Sequence, residues 1–187
     1  MPSVYQKSLF ISCLCLFTVT CVDGLMNDTL RNMLLTLHNN ARDDVRKGAI
    51  SGQPKAISIK HVKYNMELEK KAQNLSDQCR VGHDTDAERK VPPFTYIGQN
   101  WAGAATVELG FNSWLNEYKN YDFYGSYCYN GQCNKYTQIV WQKTTDIGCG
   151  VTKCPSAPYG LSIVCNYGPG GRYIDQYPYE TDQTGKL

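Results

Sequence analysis

Six cysteines, Cys79, Cys128, Cys133, Cys149, Cys154 and Cys165, constrain the fold of this chain more than any other feature. They are what remains of nine once Cys13, Cys15 and Cys21 are assigned to an N-terminal leader. An even set in an exported chain reads as three disulfides, which persist in an oxidising compartment. The competing reading, a metal site, wants Cys-x-x-Cys or His-x-x-x-His spacing, and neither accompanies these residues. Spacing alone leaves all fifteen pairings open.

The leader itself has the layout of a secretory signal peptide. Lys7 precedes an apolar run from Leu9 to Val22, and Val22-Asp23-Gly24 closes it with small or polar residues. The run is too short to span a bilayer comfortably. Cleavage after Gly24 is therefore expected, with 1–24 as signal peptide and 25–187 as one domain. No second long apolar run follows, so a secreted, extracellular protein with no transmembrane anchor is expected. In that pathway the sequons Asn27-Asp28-Thr29 and Asn74-Leu75-Ser76 become candidate glycosylation sites. Asn27, beside the new terminus, is favoured over Asn74, which needs an exposed helix face.

Charge gives little direction. Nineteen Lys and Arg face seventeen Asp and Glu, and removing Lys7 and Asp23 with the leader leaves eighteen against sixteen. Without a block of like charge, neither nucleic acid nor an anionic membrane surface is implied as a partner.

Periodicity then orders the chain. Leu30, Met33, Leu34, Leu37, Ala41 and Val45 recur at helical spacing and Gly48 supplies a stop. Asn65 stands as an N-cap ahead of a stripe of Leu68, Ala72, Leu75 and Cys79. A third helix is predicted from near Thr106, with Val107, Phe111, Trp114 and Tyr118 on one side and Glu117 beside them. Between the second and third, residues 82–93 read as an exposed polar loop. After Asp146 the period changes: Ile147, Cys149 and Val151 alternate, as do Ser162, Val164 and Asn166. These are two antiparallel strands, and Asn166-Tyr167-Gly168-Pro169-Gly170-Gly171 reads as a turn after the second. Helices with a small antiparallel sheet make the class α+β.

Four motifs sharpen this. Cys133-Asn134-Lys135-Tyr136-Thr137-Gln138-Ile139-Val140-Trp141 and Ile163-Val164-Cys165-Asn166-Tyr167-Gly168-Pro169-Gly170-Gly171-Arg172-Tyr173 resemble the two signature motifs of the CAP superfamily of cysteine-rich secretory, antigen 5 and pathogenesis-related proteins. His38-Asn39-Asn40-Ala41-Arg42 resembles its HNxxR motif, and Gly98-Gln99-Asn100 its GEN motif. The resemblance spans about Asn32 to Tyr177 and is greatest to single-domain venom-allergen-like proteins of parasitic worms. It implies a disulfide-stapled three-layer α-β-α sandwich in which Cys79 joins Cys154, Cys128 joins Cys133 and Cys149 joins Cys165. His38 and Arg42, four apart on one helix face, are read as packing and hydrogen-bonding residues.

In relatives resembling the consensus, two His and two Glu meet in a cleft that holds a divalent metal such as zinc. The equivalent positions here are His83, Gln99, Glu117 and Lys135. An amide is a poor zinc ligand, and an ammonium has no lone pair to offer. Lys135 is expected to pair with Glu117, and His83 with Glu117 to form a hydrogen-bonded pair on the cleft floor. No metal, no cofactor and no catalysis are expected, the more so as neither Gly-x-Ser-x-Gly nor His-Glu-x-x-His occurs.

The resemblance implies lipid binding instead. Phe94-x-Tyr96-x-x-x-x-Trp101 matches the aromatic spacing of a loop that relatives use for sterols. Met33 and Leu37 on the first helix, with Val107 and Phe111 on the third, are candidates for a fatty-acid channel. The expected function is carriage or sequestration of sterols and fatty acids at a host–parasite interface. The alternatives are a non-catalytic immunomodulator that engages a host protein receptor and a metal-dependent hydrolase.

Overall fold

The computed structural model describes residues 25–171 and 176–184; the predicted leader and Arg172-Tyr173 of the last motif lie outside the described residues. Helix α1, Asp28–Lys47, starts where Asn27 Oδ1 accepts from the Leu30 N–H at 3.0 Å and ends at Gly48, whose φ of 75° lies in the left-handed region that favours glycine. Helix α2, Met66–Ser76, opens the same way, with Asn65 Oδ1 accepting from the N–H groups of Glu67 and Leu68. Its stripe of Leu68, Ala72 and Leu75 is buried. Cys79 does not continue that stripe as expected: the helix ends at Ser76, and Cys79 lies beyond it with φ 49°. Helix α3, Val107–Leu115, is capped by Thr106 and runs on into a 3₁₀ turn, Asn116–Asn120, that carries Glu117. A fourth helix, α4, Asn134–Ile139, occupies the Cys133–Trp141 motif.

Among the described residues there are six strands: β1 Lys63–Tyr64, β2 Gly98–Ala104, β3 Tyr121–Asp122, β4 Tyr127–Cys128, β5 Asp146–Cys154 and β6 Gly160–Gly168. β5 and β6 are the predicted antiparallel pair. The sheet is wider than the pair, in the order β1-β5-β6-β2, with β1 parallel to β5 and β2 antiparallel to β6; β3 and β4 form a separate hairpin. β6 runs through Asn166 and Tyr167 to Gly168, so the expected turn begins only at Pro169.

The layers follow from the faces of β5 and β6. Ile147, Cys149, Val151, Ile163, Cys165 and Tyr167 join one core with Leu34 and Val45 of α1, Phe111 and Trp114 of α3, and Tyr136 and Ile139 of α4. Val164 faces the other way, against Ala72 and Leu75 of α2. A sheet covered on both sides buries both registers of its strands, which is why Ser162, Val164 and Asn166 mark only one face. On the α2 side the helix lies directly on backbone: a Cβ on Gly148 would come within 2.2 Å of Glu69 N, and one on Gly150 within 2.4 Å of Gln73 Cα. The fold is thus α+β, a three-layer α-β-α sandwich.

Three disulfides staple it: Cys79–Cys154, Cys128–Cys133 and Cys149–Cys165, the pairing that the family resemblance implies. Cys149 and Cys165 stand directly opposite each other on β5 and β6, with Cα atoms 4.1 Å apart. Arg42, fully buried, donates to the carbonyls of Lys60, Ile139, Trp141 and Thr144, tying α1 to the segments around α4.

Candidate functional site

A cleft of about 350 Å³ opens where β2, the loop after α2 and α4 converge, lined among others by His83, Arg89, Tyr96, Gln99, Gln132 and Lys135. The polar groups here are committed to one another. Lys135 Nζ lies 2.6 Å from Glu117 Oε1 and 2.8 Å from Gln132 Oε1, while the Lys135 backbone N–H donates to Glu117 Oε2 at 2.8 Å. One carboxylate thus neutralises the ammonium and also holds the first turn of α4, whose N-cap Cys133 contributes no side-chain hydrogen bond.

The other two positions form a second pair. His83 Nδ1 is 2.8 Å from Gln99 Oε1, and Gln99 Nε2 donates to Asp84 Oδ1 at 3.0 Å and Asn166 Oδ1 at 2.9 Å. Because the Gln99 oxygen can only accept, Nδ1 carries the proton in this contact. The expected His83–Glu117 pair is therefore corrected: His83 bonds Gln99, and Glu117 is consumed by Lys135.

These residues do not fit a zinc ion. Both Glu117 oxygens are taken by donors of Lys135, Gln99 offers an amide that already accepts from His83, and Lys135 has no lone pair. Among the described residues, no three His, Cys, Asp or Glu side chains are grouped so as to hold a metal.

Two residues of the cleft carry no motif. Arg89, buried with Val91 in a loop that is mostly exposed, donates to Ile97 O at 3.0 Å, to the Asp84 side chain at 2.7 Å and to Asp86, and so fixes residues 84–97 against β2. Gln132 reaches Lys135 from within the Cys128–Cys133 loop. Behind the cleft, Asn100 Nδ2 donates to Lys135 O and to Tyr167 Oη, both at 3.0 Å. Tyr167 in turn donates to His38 Nε2 at 2.9 Å, since His38 Nδ1–H is given to Leu34 O at 2.7 Å. Burial holds the His38 imidazole neutral, with its pKa lowered to about 4.

Phe94 and Tyr96 line a neighbouring cavity of about 310 Å³, together with Lys90 and Ile97. Phe94 closes over Gly168, where its ring stands 2.7 Å from the position of a Cβ. Trp101 does not join them. It points from β2 to the α2 layer, packs on Ala72, Leu75 and Val164, meets Tyr159 edge-on at 5.6 Å and donates Nε1–H to Ser162 Oγ. The three aromatics are therefore not one loop.

Of the channel candidates, Val107 and Phe111 are buried, and Met33 and Leu37 are half-buried against the same core. The His38 ring stands edge-on to Phe111 with centroids 4.9 Å apart. Asn27 and Asn74 are both exposed, whereas the sequon hydroxyl of Ser76 is buried and donates to Ser162 O at 2.8 Å.

Comparison with known proteins gives one consistent result. The profile of the CAP family, described as the cysteine-rich secretory protein family, matches residues 35–167. GLIPR1-like protein 1 of Bos taurus is 33% identical over 165 residues that cover 83% of this chain, and the chain spans only 65% of that relative's length. Among solved structures, the Schistosoma mansoni venom allergen-like protein 4 superposes with a TM-score of 0.76 at 35% identity, covering 87% of this chain and all of its own. NaASP2, solved with Zn2+, superposes with a TM-score of 0.69 at 27% identity over 86% of this chain and 90% of its own.

Proposed function

The chain belongs to the CAP family of cysteine-rich secretory proteins, and from that premise we propose that it is a secreted, non-catalytic protein that carries or sequesters a sterol in the cavity beside Phe94 and Tyr96. The observation that carries this reading is the cavity itself: about 310 Å³, within the range of small-molecule sites, with two aromatic rings and Ile97 in its wall. Covering roughly 300 Å² of a sterol there would contribute about 7 kcal/mol before the costs of binding. The likeness to a schistosome protein supports a place at a host–parasite interface.

Fatty acid is the weaker half of the reading. Phe111 is 1% and Val107 5% exposed, so an acyl chain between α1 and α3 would have to displace packed side chains. A metal-dependent hydrolase has no footing in this cleft, because its polar atoms pair with each other rather than converge on one point.

Competition binding with labelled cholesterol and labelled palmitate tests the proposal. Replacing both Phe94 and Tyr96 by Ala should weaken cholesterol binding at least tenfold and leave palmitate unchanged. No cholesterol binding by the native protein, or equal loss of both lipids in the variant, defeats it.

A further inference from the structure

The β3–β4 hairpin and the loop after α1 enclose a second hollow, of about 490 Å³. Its walls include Tyr118, Tyr121, Tyr124 and Tyr129, and its rim carries Lys119 and Asp122. We propose that this hollow is a recognition site for a neutral saccharide.

Three observations support it. First, two tyrosines of this wall are left in water: Tyr124 is 51% and Tyr129 59% exposed. A cluster of large aromatic side chains left uncovered on a surface marks a contact site more often than an accident of sequence. Second, the site is held rigid. The Cys128–Cys133 disulfide closes the loop after β4 that carries Tyr129, Tyr129 N–H donates to Asn120 O at 3.0 Å, and the Tyr129 hydroxyl donates to Lys119 O. Gln53 Nε2 adds two bonds of 2.9 Å, to the carbonyls of Tyr118 and Tyr121. Third, one polar atom of this wall is unsatisfied. Gln53, 8% exposed, has its Oε1 buried with no hydrogen-bond partner. An amide oxygen left so is costly unless a donor reaches it, and a small widening of the hollow on binding would bring a ligand hydroxyl within range.

The chemistry selects the ligand. A pyranose ring has a face of C–H groups that stacks on an aromatic ring, and a rim of hydroxyls that both donate and accept. Tyrosine supplies the flat face at little conformational cost, together with a hydroxyl of its own. Gln53, Lys119 and Asp122 supply an acceptor, a donor and a second acceptor around it. Lys119 and Asp122 cancel in charge, so the hollow has no preference for a sulfated or sialylated sugar over a neutral one. The site lies apart from the sterol cavity and shares no residue with it.

Saturation-transfer difference NMR on enzymatically deglycosylated protein tests this with four neutral disaccharides: lactose, maltose, cellobiose and N,N′-diacetylchitobiose. At least one should receive saturation through its ring C–H protons, and sialyllactose should gain no advantage over lactose. Tyr129→Ala should weaken that binding about tenfold, and Tyr124→Ser, which leaves the Tyr129 hydrogen bonds in place, should weaken it at least threefold. Tyr127→Ala is the control, because Tyr127 is as exposed but stacks over Gly125 instead of lining the hollow; its binding should match the native protein. Absence of transfer to all four sugars overturns the proposal. So does transfer that survives Tyr124→Ser and Tyr129→Ala, and so does transfer that is lost only in the Tyr127→Ala control. A proline-rich peptide that binds these tyrosines while no sugar does assigns the hollow to protein recognition and likewise overturns it.

Discussion

Lys135 Nζ sits 2.6 Å from Glu117 Oε1 while the backbone N–H of the same lysine holds Oε2 at 2.8 Å, so one residue occupies both oxygens of the carboxylate. The side chains remain 24% and 12% exposed, and after solvent screening the charge contact contributes only about 1 kcal/mol. Its consequence is chemical rather than energetic. A dication entering this cleft would have to displace an ammonium, which has no lone pair to offer it.

Zinc titration of metal-free protein at pH 7 should accordingly show no tight stoichiometric uptake. The double variant Gln99→Glu, Lys135→His supplies two carboxylates and two imidazoles at the four positions, and should bind zinc at least about a hundredfold more tightly than the native chain. Isothermal calorimetry reads both. Tight one-to-one zinc binding by the native protein would show that Lys135 swings out and that the pairing with Glu117 is not what governs the cleft.

Trp101 separates the aromatic spacing from the geometry. It lies two residues from Gln99 on β2 and so shares that residue's face of the sheet, but it packs farther along α2, on Ala72 and Leu75, whereas Phe94 packs with Leu68. Trp101→Ala should therefore cost about 2–3 kcal/mol in urea unfolding, through lost packing on Ala72 and Leu75, and leave cholesterol affinity unchanged. A loss of sterol binding in folded Trp101→Ala protein would put this ring back in the ligand site.

What the sequence disclosed and what it hid follow from the range of each cue. Asn65 announces its helix because a cap is a local hydrogen bond, written within three residues; Asn27 and Thr106 cap α1 and α3 in the same way, though in the sequence Asn27 stands out only as a sequon. β5 and β6 were legible for the same reason, since alternation is local. Helix α4 is six residues long, under two turns, and too short to show a period. Whether His83 meets Glu117 or Gln99 depends on which face β2 presents and on how Arg89 folds the 84–97 segment, and neither is written near His83. Gly148 and Gly150 look like weak points in a strand until α2 is laid against them; their bare backbone is what lets the helix approach.

His38 makes stability depend on pH. Burial lowers its pKa from 6.5 to about 4, so between these values the unfolded chain binds a proton that the folded one refuses. The stability that His38 contributes is complete above about pH 6.5 and is lost as pH falls toward 4. The gap corresponds to about 3 kcal/mol. Urea unfolding at pH 7 and pH 4.5 should show this loss, over and above that from titrating carboxylates, in the native protein. His38→Leu should be less stable at pH 7, because Tyr167 loses its acceptor, yet its stability should fall less between the two pH values. Equal slopes for the two proteins would mean that His38 is protonated in the fold.

The two outer disulfides should differ in what they contribute, because they close loops of very different length. Cys79–Cys154 spans 75 residues and Cys128–Cys133 only 5. On chain-entropy grounds, cross-linking the unfolded chain over these lengths is worth about 4.5 and about 2 kcal/mol respectively. Cys79→Ser with Cys154→Ser should thus lower unfolding free energy by about twice as much as Cys128→Ser with Cys133→Ser. The short loop has a different role: it carries Gln132 to Lys135 and Tyr129 to the tyrosine-lined hollow. Opening it should loosen both sites while the rest of the fold stands, which hydrogen exchange would register as faster exchange of the Tyr129 amide with little change in the β5–β6 core. If exchange instead rises throughout the sheet, the short bridge is holding the fold together and is not local to the hairpin.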